Sequence, residues 1–327
     1  MRALVTGAAG FIGSTLAERL IARGDDVLGV DCFSDYYDPA AKWRNVQGAL
    51  VSGSYRLLEL DLRTAELDGL LADVDVVFHQ AGQPGVRLSW NDGFSTYDTC
   101  NVLATQRLLE ACCRTGVDRV VYASSSSVYG NAAHYPVTEE SLPAPHSPYG
   151  VTKLAAEHLC GLYAANYGLS VVSLRYFTVY GPRQRPDMAI HRLVEAALDD
   201  RPFPLYGDGS QIRDFTFVDD VVEANLRAGR ADVAPGTVVN VCAGGSTSMS
   251  DLIAAVGSAV GREVRVDRQV TQPGDVRRTG GDSSKASRLL SWEPAHGLEE
   301  GIRRQTEWHR SLRGEAPASV SLRGSSR

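Results

Sequence analysis

The sequence has no long apolar run, no basic excess and no dense cysteine pattern. No stretch of 18 residues is apolar throughout, which excludes a conventional membrane-spanning helix. Its 33 Lys and Arg are outnumbered by 39 Asp and Glu, and this net charge of −6 argues against a nucleic-acid-binding protein. The six cysteines show neither metal-ligand spacing nor a disulfide framework, and the opening "RALVTG" is typical of a strand rather than a secretory signal. These absences predict a cytoplasmic protein with reduced cysteines, no metal, and no nucleic-acid or membrane partner.

What the sequence has instead is an alternation of short apolar runs with segments of helical period. Strand candidates include "RALVTG", "VDVVFHQAG" and "RVVYASS", and "YGVTKLAAEHLCGLYAANYG" carries apolar residues at helical spacing. Apolar strands that alternate with helices are typical of an α/β protein with a doubly wound parallel sheet. We expect this sheet over residues 1–176 and about 212–243. The regular alternation of strands and helices ends after about residue 180, which predicts a smaller, interleaved α/β domain over about 177–211 and 244–311. Residues 312–327 lack a core-forming pattern and are predicted to be a disordered tail.

The segment "VTGAAGFIG" places Gly7, Gly10 and Gly13 directly after the first strand candidate. Glycines there permit a tight turn and let a pyrophosphate approach the N-terminus of the following helix. Asp31 ends the second strand candidate, where an acid binds both ribose hydroxyls and repels a 2′-phosphate. The spacing differs by one residue from the usual dinucleotide fingerprint, and a purely structural turn is the alternative. In this strand–helix context the pattern predicts a Rossmann-type domain that binds NAD rather than NADP.

A second group of candidates lies in "YASSSSVYG" (122–130) and "YGVTK" (149–153). Tyr149 and Lys153 are four residues apart at the start of a helical segment and therefore lie on one face. A lysine ammonium near a phenol favours the phenolate, and such a tyrosine can act as a general base. The pair alone occurs often by chance, so the serine run at the end of a parallel strand carries much of this hypothesis.

Glycine turn, strand-end serine and Tyr-x-x-x-Lys, in that order, resemble the short-chain dehydrogenase/reductase superfamily. The chain length and second domain resemble its extended branch, which acts on nucleotide sugars. The resemblance covers residues 1 to about 310 and implies that Tyr149, Lys153 and Ser125 are catalytic. It implies cofactor contacts at the following positions: Gly7, Gly10, Phe11, Ile12, Gly13, Asp31, Asp61, Leu62, Gln80, Ala81, Asn101 and Lys153. For Asn101 a helix cap is the alternative.

The two serines that follow Ser125 narrow the reaction. Related 4,6-dehydratases carry Asp-Glu where this chain has Ser126 and Ser127, and UDP-glucuronate decarboxylases typically carry Glu at the second position. Hydroxyls cannot replace those acids near pH 7. The pattern favours oxidation and reduction without elimination, which is epimerisation. The alternative is that both serines only satisfy backbone groups at the strand end.

Three stretches, "DCFSDYYDPAAK", "HQAGQPGVRLS" and "FTVYGPRQRPDMA", resemble UDP-glucuronate 4-epimerases. Gly82 and Pro84 depart from that family's usual alanines, which changes the stiffness of a loop at the nicotinamide. An Arg fork with hydroxyl donors suits a uronate carboxylate, so Arg185 with Ser126, Ser127 and Thr178 is the predicted acid-binding group. A surface charge on a loop is the alternative for Arg185.

By the same resemblance, the UDP moiety contacts Arg213, Asp275 and Arg277, and Arg87 near the cofactor loop is a further candidate. For each arginine the alternative is a solvated surface charge. Gln272 stands where the family has another arginine. The predicted reaction is the NAD-dependent conversion of UDP-glucuronate to UDP-galacturonate through a 4-keto sugar by a homodimer. A UDP-glucose or UDP-N-acetylglucosamine 4-epimerase is the first alternative, and a decarboxylase or dehydratase is less favoured. An NAD(H)-binding regulator without activity is the alternative of another class.

Overall fold

The computed structural model describes residues 1–270 and 276–315. The strands are β1 (Arg2–Thr6), β2 (Asp26–Asp31), β3 (Tyr55–Glu59), β4 (Val76–His79), β5 (Arg119–Ser125), β6 (Val171–Tyr176), β7 (Thr178–Tyr180), β8 (Phe203–Tyr206), β9 (Ile212–Arg213), β10 (Phe215–Phe217), β11 (Thr237–Val241), β12 (Thr247–Ser248) and β13 (Val266–Gln269). The helices are α1 (Phe11–Ala22), α2 (Pro39–Leu50), α3 (Asp68–Leu71), α4 (Phe94–Tyr97), α5 (Ala104–Thr115), α6 (Pro148–Tyr167), α7 (Ala189–Leu198), α8 (Val218–Ala228), α9 (Met249–Val260), α10 (Ser284–Leu290) and α11 (Leu298–Leu312).

Seven parallel strands form the central sheet in the order β11-β6-β5-β4-β1-β2-β3. The order reverses between β1 and β4, which is the point where doubly wound sheets bind ligands beyond the carboxyl ends of their strands. The predicted Rossmann-type sheet is confirmed, and its carboxyl edge carries both the glycine turn and the serine run.

Alternating side chains of the strands feed two apolar cores, one on each face of the sheet. Val5 of β1 packs into the core that contains Leu16 of α1 and Val221 of α8. Leu4 faces the other way, into the core that contains Leu108 of α5 and Ala156 of α6. Burial on both faces explains why the strand sequences are almost continuously apolar rather than alternating.

The smaller part is built from α7, α9 and α11 with three short two-stranded pairs, β7–β10, β9–β12 and β8–β13. It shares one continuous apolar core with the main sheet through residues of α7, α8 and α9. Strand β11 and helix α8 belong to the sheet, whereas β9 and β10 pair with strands of the smaller part. Helix α10 packs on β11 and α8, although the sequence assigned its segment to the substrate domain. The predicted domain boundaries thus stay a prediction, with the chain passing between the two parts several times.

Helix α11 extends to Leu312, the first residue of the predicted tail, and 316–327 lie outside the described residues. All six cysteines are free thiols. Among the helices at 1–270 and 276–315, none is both long and apolar enough to cross a bilayer.

Candidate active site

The glycine turn between β1 and α1 is shaped to leave backbone open at the helix N-terminus. Gly7 has φ of +67°, a conformation that L side chains rarely adopt, and the Gly10 amide donates to the Gly7 carbonyl at 3.0 Å. Gly13 packs directly on that carbonyl, so a Cβ at this position would collide with the Gly7 oxygen. Gly10 caps α1 without a side chain that would fill the space in front of the helix. The turn therefore offers a phosphate the N–H groups and the positive end of the helix.

Asp31 lies at the end of β2 with its carboxylate fixed by the backbone. Its oxygens accept the amide of Ala9 at 3.1 Å and the amide of Phe33 at 2.8 Å. The ammonium of Lys42 is 3.7 Å from the same carboxylate. A carboxylate has about four lone-pair sites, and the backbone bonds take two of them, so Asp31 keeps acceptors for ribose hydroxyls.

A cavity of about 480 Å³ runs from the glycine turn along the carboxyl edge of the sheet. Eleven of the twelve predicted cofactor residues line it: Gly7, Gly10, Phe11, Ile12, Gly13, Asp31, Asp61, Leu62, Gln80, Ala81 and Lys153. Other residues that the sequence did not predict also line this cavity, among them Tyr36, Cys32 and Cys100. The glycine cradle, the ribose acceptor and the elongated cavity together fit a dinucleotide.

Asn101 is the predicted cofactor residue that does not line this cavity. It is 1% exposed within a π-helical segment, Asp98–Leu103. Its Oδ1 accepts the Gln83 amide at 2.6 Å, and its Nδ2 donates to the Gln83 carbonyl and to Thr152 Oγ1. Asn101 thus supports the loop after β4 from behind. Gly82 in that loop leaves room for it, because a Cβ there would come within 2.9 Å of Asn101 Oδ1.

Tyr149, Lys153 and Ser125 meet where β5 ends and α6 begins. Ser147 caps α6 by accepting the Gly150 amide, and Pro148 occupies the first helical turn. The phenol of Tyr149 is hydrogen-bonded to Ser125, and the ammonium of Lys153 donates to the Ala123 carbonyl at 2.9 Å. The capped helix start and the strand end therefore bring the three predicted catalytic side chains to one point.

The pKa shifts in this group correct one sequence expectation. Loss of hydration raises the pKa of Tyr149, while the Ser125 hydrogen bond and the charge of Arg185 oppose the rise. Burial lowers the pKa of Lys153 to about 8. The expectation that Lys153 lowers the pKa of Tyr149 was wrong, because the loss of hydration raises that pKa more than the favourable contacts lower it. The positive charge that lowers it is that of Arg185.

The four consecutive serines have different environments. Ser124 Oγ donates to Glu157 Oε2 at 2.6 Å below the sheet edge, whereas Ser125 faces Tyr149 and accepts the Ser127 amide at 3.1 Å. Ser126 and Ser127 continue into a short 3₁₀ turn, Ser126–Val128, that faces a second cavity. The run thus contains one structural hydroxyl, one hydroxyl beside the phenol and two at the cavity wall.

This second cavity, of about 650 Å³, lies between the sheet edge and the smaller part. Seven predicted substrate residues line it: Arg87, Ser126, Ser127, Tyr149, Thr178, Arg185 and Arg213. It shares Tyr149, Tyr36 and Arg185 with the cofactor cavity. The phenol of Tyr149 therefore stands at the junction of the two spaces.

The predicted UDP-binding residues lie at different places. Arg87 stacks on the ring of Tyr206 at 4.3 Å, and Arg213 donates to the Ile212 carbonyl. Arg277 is exposed and is not among the residues that line either cavity. Asp275 lies outside the described residues.

Arg185 lies at the junction of the two cavities, and its partner is Asp187, which the sequence did not predict as a site residue. Its Nε and Nη2 donate to the two carboxylate oxygens of Asp187, each at 3.0 Å. Tyr36 donates its hydroxyl to Asp187 Oδ2 at 3.2 Å. The motif "RQRPDMA" contained this acid, but only the folded loop shows that it pairs with the predicted acid-binding arginine.

Comparison with known proteins agrees with this geometry. The NAD dependent epimerase/dehydratase family matches residues 3–242. A UDP-glucose 4-epimerase of Mycolicibacterium smegmatis is 40% identical over 95% of this chain and 99% of its own length. A UDP-glucuronate 4-epimerase of Thermodesulfobacterium geofontis is 35% identical over 93% of this chain and 95% of its own.

Among solved structures, the Bacillus cereus UDP-glucuronic acid 4-epimerase in complex with UDP-glucuronic acid and NAD superposes with a TM-score of 0.92. It is 41% identical and covers 95% of this chain and 100% of that one. The predictions of the fold, of an epimerase-class enzyme and of NAD as its cofactor are confirmed. With a glycine cradle, a strand-end serine and a Tyr-x-x-x-Lys pair at the junction of two cavities, the chain belongs to the NAD-dependent epimerase/dehydratase family.

Proposed function

We propose that this protein interconverts UDP-glucuronate and UDP-galacturonate by epimerisation at C4. The observation that carries the proposal is the position of Arg185, which lines both cavities and is close enough to Tyr149 to affect its pKa. A guanidinium at that place suits a hexose whose C6 is a carboxylate.

The acid–base chemistry belongs to the residues around Ser125. Tyr149 takes the proton of the C4 hydroxyl once its own phenol is ionised, and the Ser125 hydrogen bond and the charge of Arg185, which oppose the rise in its pKa, favour that ionisation. Ser125 also holds the C4 hydroxyl and assists the transfer. Lys153 donates to the Ala123 carbonyl and lines the cofactor cavity. From there its ammonium would hold a ribose hydroxyl of bound NAD. Bound NAD would accept the hydride from C4 and return it to the opposite face of the sugar. On return, Tyr149 gives the proton back to O4.

The hydroxyl side chains that line the second cavity support epimerisation over elimination. Ser126, Ser127 and Thr178 are hydroxyls, and none can serve as a general acid or base near pH 7. Together with Arg185 they can hold a carboxylate through hydrogen bonds. If these contacts hold the C5–C6 bond near the plane of the sugar, that bond is not aligned with the π-system of the C4 ketone, so the uronate loses CO2 less readily.

A neutral UDP-hexose is the second candidate substrate, and a specific contact favours it. Arg185 is already paired with Asp187, so the guanidinium does not present an uncompensated charge to a neutral sugar. The two candidate substrates differ in whether they need Arg185, so a change at Arg185 distinguishes them.

The test is incubation of the NAD-loaded enzyme with UDP-glucuronate or with UDP-glucose, followed by chromatography. We expect the C4 epimer of UDP-glucuronate, with little UDP-pentose and no dehydrated keto sugar. Tyr149→Phe should retain NAD and lose most turnover. Arg185→Ala should raise KM for UDP-glucuronate by about 100-fold, the size expected for a lost charge-assisted fork, and leave KM for UDP-glucose almost unchanged.

Two results would contradict the proposal. One is turnover of UDP-glucose alone by the wild-type enzyme. The other is a UDP-pentose as the main product from UDP-glucuronate, which would make the protein a decarboxylase.

We further propose that the enzyme is a homodimer. Apolar side chains stay exposed on α6 and on the continuous helical run over residues 94–115, among them Leu103, Val151, Leu162 and Tyr167, each between 44% and 68% exposed. Light scattering at micromolar concentration should give a mass near twice 35.2 kDa. A monomer would contradict this proposal and leave the assignment of the reaction untouched.

A further inference from the structure

Three loops meet at the junction of the two cavities. The loop after β2 brings Tyr36, the loop after β4 brings Gly85, and the loop before α7 brings Arg185 and Asp187. Tyr36 and Arg185 line both cavities, and the centre of the Arg185 guanidinium is 6.0 Å from the centroid of the Tyr36 ring. The junction therefore contains a hydrogen-bonded chain that runs from the cofactor side to the predicted acid-binding arginine.

Asp187 uses only one edge of the guanidinium. A guanidinium has five N–H donors, and Asp187 takes the Nε–H and one hydrogen of Nη2. The second hydrogen of Nη2 and the adjacent hydrogen of Nη1 form another edge, which can bind a second carboxylate through two parallel hydrogen bonds. Asp187 thus fixes the plane of the arginine without occupying the donors that a uronate needs.

Tyr36 fixes Asp187 in turn. Its hydroxyl donates to Asp187 Oδ2 at 3.2 Å and packs against Gly85, where a Cβ would collide with the hydroxyl oxygen. Gly85 has φ of +98°, so both the space and the backbone conformation require glycine. Burial and the neighbouring Asp187 raise the pKa of Tyr36 above its ordinary value, and the phenol remains a donor at neutral pH. The hydroxyl is held between two loops, and it holds the carboxylate.

Loss of Asp187 has two opposing consequences for an acidic substrate. It leaves Arg185 with an uncompensated charge, which attracts an anion more strongly. It also frees a long side chain to adopt many rotamers. The Asp187 side chain is 38% exposed, so solvent and salt already weaken its charge, and removing that charge changes the field at the substrate only modestly. Orientation therefore outweighs charge at this position.

We propose that Asp187 is a specificity-determining positioning residue, supported by Tyr36, which holds Arg185 with its open edge toward the C6 carboxylate of the sugar. This inference rests on the proposed function, since it assumes that Arg185 recognises a uronate. It assigns acid selectivity to a pair of side chains outside the Tyr149 group, in two loops that the central sheet brings together.

The test uses the NAD-loaded enzyme with two nucleotides, UDP-glucuronate and UDP-glucose, and measures kcat, KM and the calorimetric Kd for each. Asp187→Asn should raise KM and Kd for UDP-glucuronate by about tenfold, change kcat by less than about twofold, and leave Kd for UDP-glucose unchanged. Tyr36→Phe should act in the same direction by about threefold. Asp187→Glu, which restores a carboxylate, should recover part of the loss.

Asp68→Asn is the matched control, because Asp68 receives a comparable fork from Arg114 on the surface, away from both cavities. It should change neither nucleotide's Kd. Circular dichroism melts show whether each variant is folded. A lower Kd for UDP-glucuronate in Asp187→Asn would overturn the inference, as would an equal rise for both nucleotides. Failure of the proposed function looks different: the wild-type enzyme would itself not prefer UDP-glucuronate.

Discussion

The most demanding prediction concerns the buried ion pair beneath the serine run. Arg175 of β6 donates from Nη2 to Glu157 Oε1 of α6 at 2.5 Å and from Nε to Oε2 at 3.0 Å. Both side chains are at most 5% exposed. Ser124 donates to the same carboxylate, and Tyr129 accepts from Arg175 Nη1 at 2.7 Å. The pair therefore joins α6, which carries Tyr149, to β6, and the Ser124 hydrogen bond to Glu157 adds the end of β5.

The size of the effect follows from which charge is left behind. Arg175→Met removes the cation and leaves the Glu157 carboxylate buried, which should lower the free energy of unfolding by about 3–5 kcal/mol at pH 7. In the double variant Glu157→Gln with Arg175→Met no charge stays buried. Ser124 keeps an acceptor in the amide, and Tyr129 keeps its bond to Asn240. The double variant should therefore lose only about 1–2 kcal/mol.

The assay is urea denaturation followed by far-ultraviolet circular dichroism and by tryptophan fluorescence, accepted only where the two transitions coincide. Arg114→Met, which breaks an exposed pair with Asp68, is the control and should cost less than about 1 kcal/mol. The reasoning is refuted if Arg175→Met costs no more than this control. It is equally refuted if the double variant is less stable than the single one, because the coupling between the two charges would then have the wrong sign.

Three further predictions concern other parts of the molecule. Gly13→Ala should weaken NAD retention by at least about tenfold, because its Cβ collides with the Gly7 carbonyl and must push the phosphate turn open, and fluorescence titration of NADH measures this. Asn101→Ala should release the loop after β4 and weaken the same binding by about fivefold, with a smaller effect on thermal stability. Hydrogen bonding to His309 lowers the pKa of Glu195 from 4.5 to about 2. The ionised Glu195 therefore stabilises the fold at any pH above about 4.5, and this contribution is lost as the pH falls from about 4.5 to about 2. Glu195→Gln should therefore lower the melting temperature at pH 7 and flatten its acid dependence.

Each of these predictions has a clear contrary result. Unchanged NADH affinity in the glycine variant would mean that the turn can move without cost. An asparagine variant that melts early but binds NADH normally would show a purely structural role. If the melting temperatures of wild type and Glu195→Gln fall in parallel as the pH is lowered, Glu195 does not contribute to the loss of stability in acid.

Much of the cofactor half could be predicted from local sequence. The glycines, Asp31 and the Tyr149–Lys153 pair are each set by short-range rules of turn geometry, strand ends and helix periodicity. Eleven of twelve predicted cofactor residues line the cavity for this reason. Asn101 is the exception, since its hydrogen bonds to Gln83 and Thr152 make it a support of the loop after β4 rather than a residue of the cavity lining.

The predictions that failed or stayed incomplete depend on contacts between distant segments. The net pKa shift of Tyr149 depends on how much water the folded cavity excludes and on Arg185, 36 residues away in sequence. The pairing of Arg175 with Glu157 is invisible in the sequence, where the first lies in an apolar strand and the second in a helix with no signal of its own. The arginines predicted to bind UDP illustrate the same limit, since Arg213 lines the second cavity and Arg277 does not.

The sequence by itself determined the sheet, the phosphate turn and the places of Ser125, Tyr149 and Lys153 at a strand end and a helix start. Backbone geometry and side-chain periodicity act over a few residues, so these features can be predicted locally. Only the tertiary structure decided the partners of the charged side chains. A guanidinium or a carboxylate has a long reach and many acceptable partners, and which partner it meets depends on how the loops cross at the sheet edge. Because of that crossing, Arg185 and Tyr36 both donate to Asp187. For the same reason, four consecutive serines have three different environments.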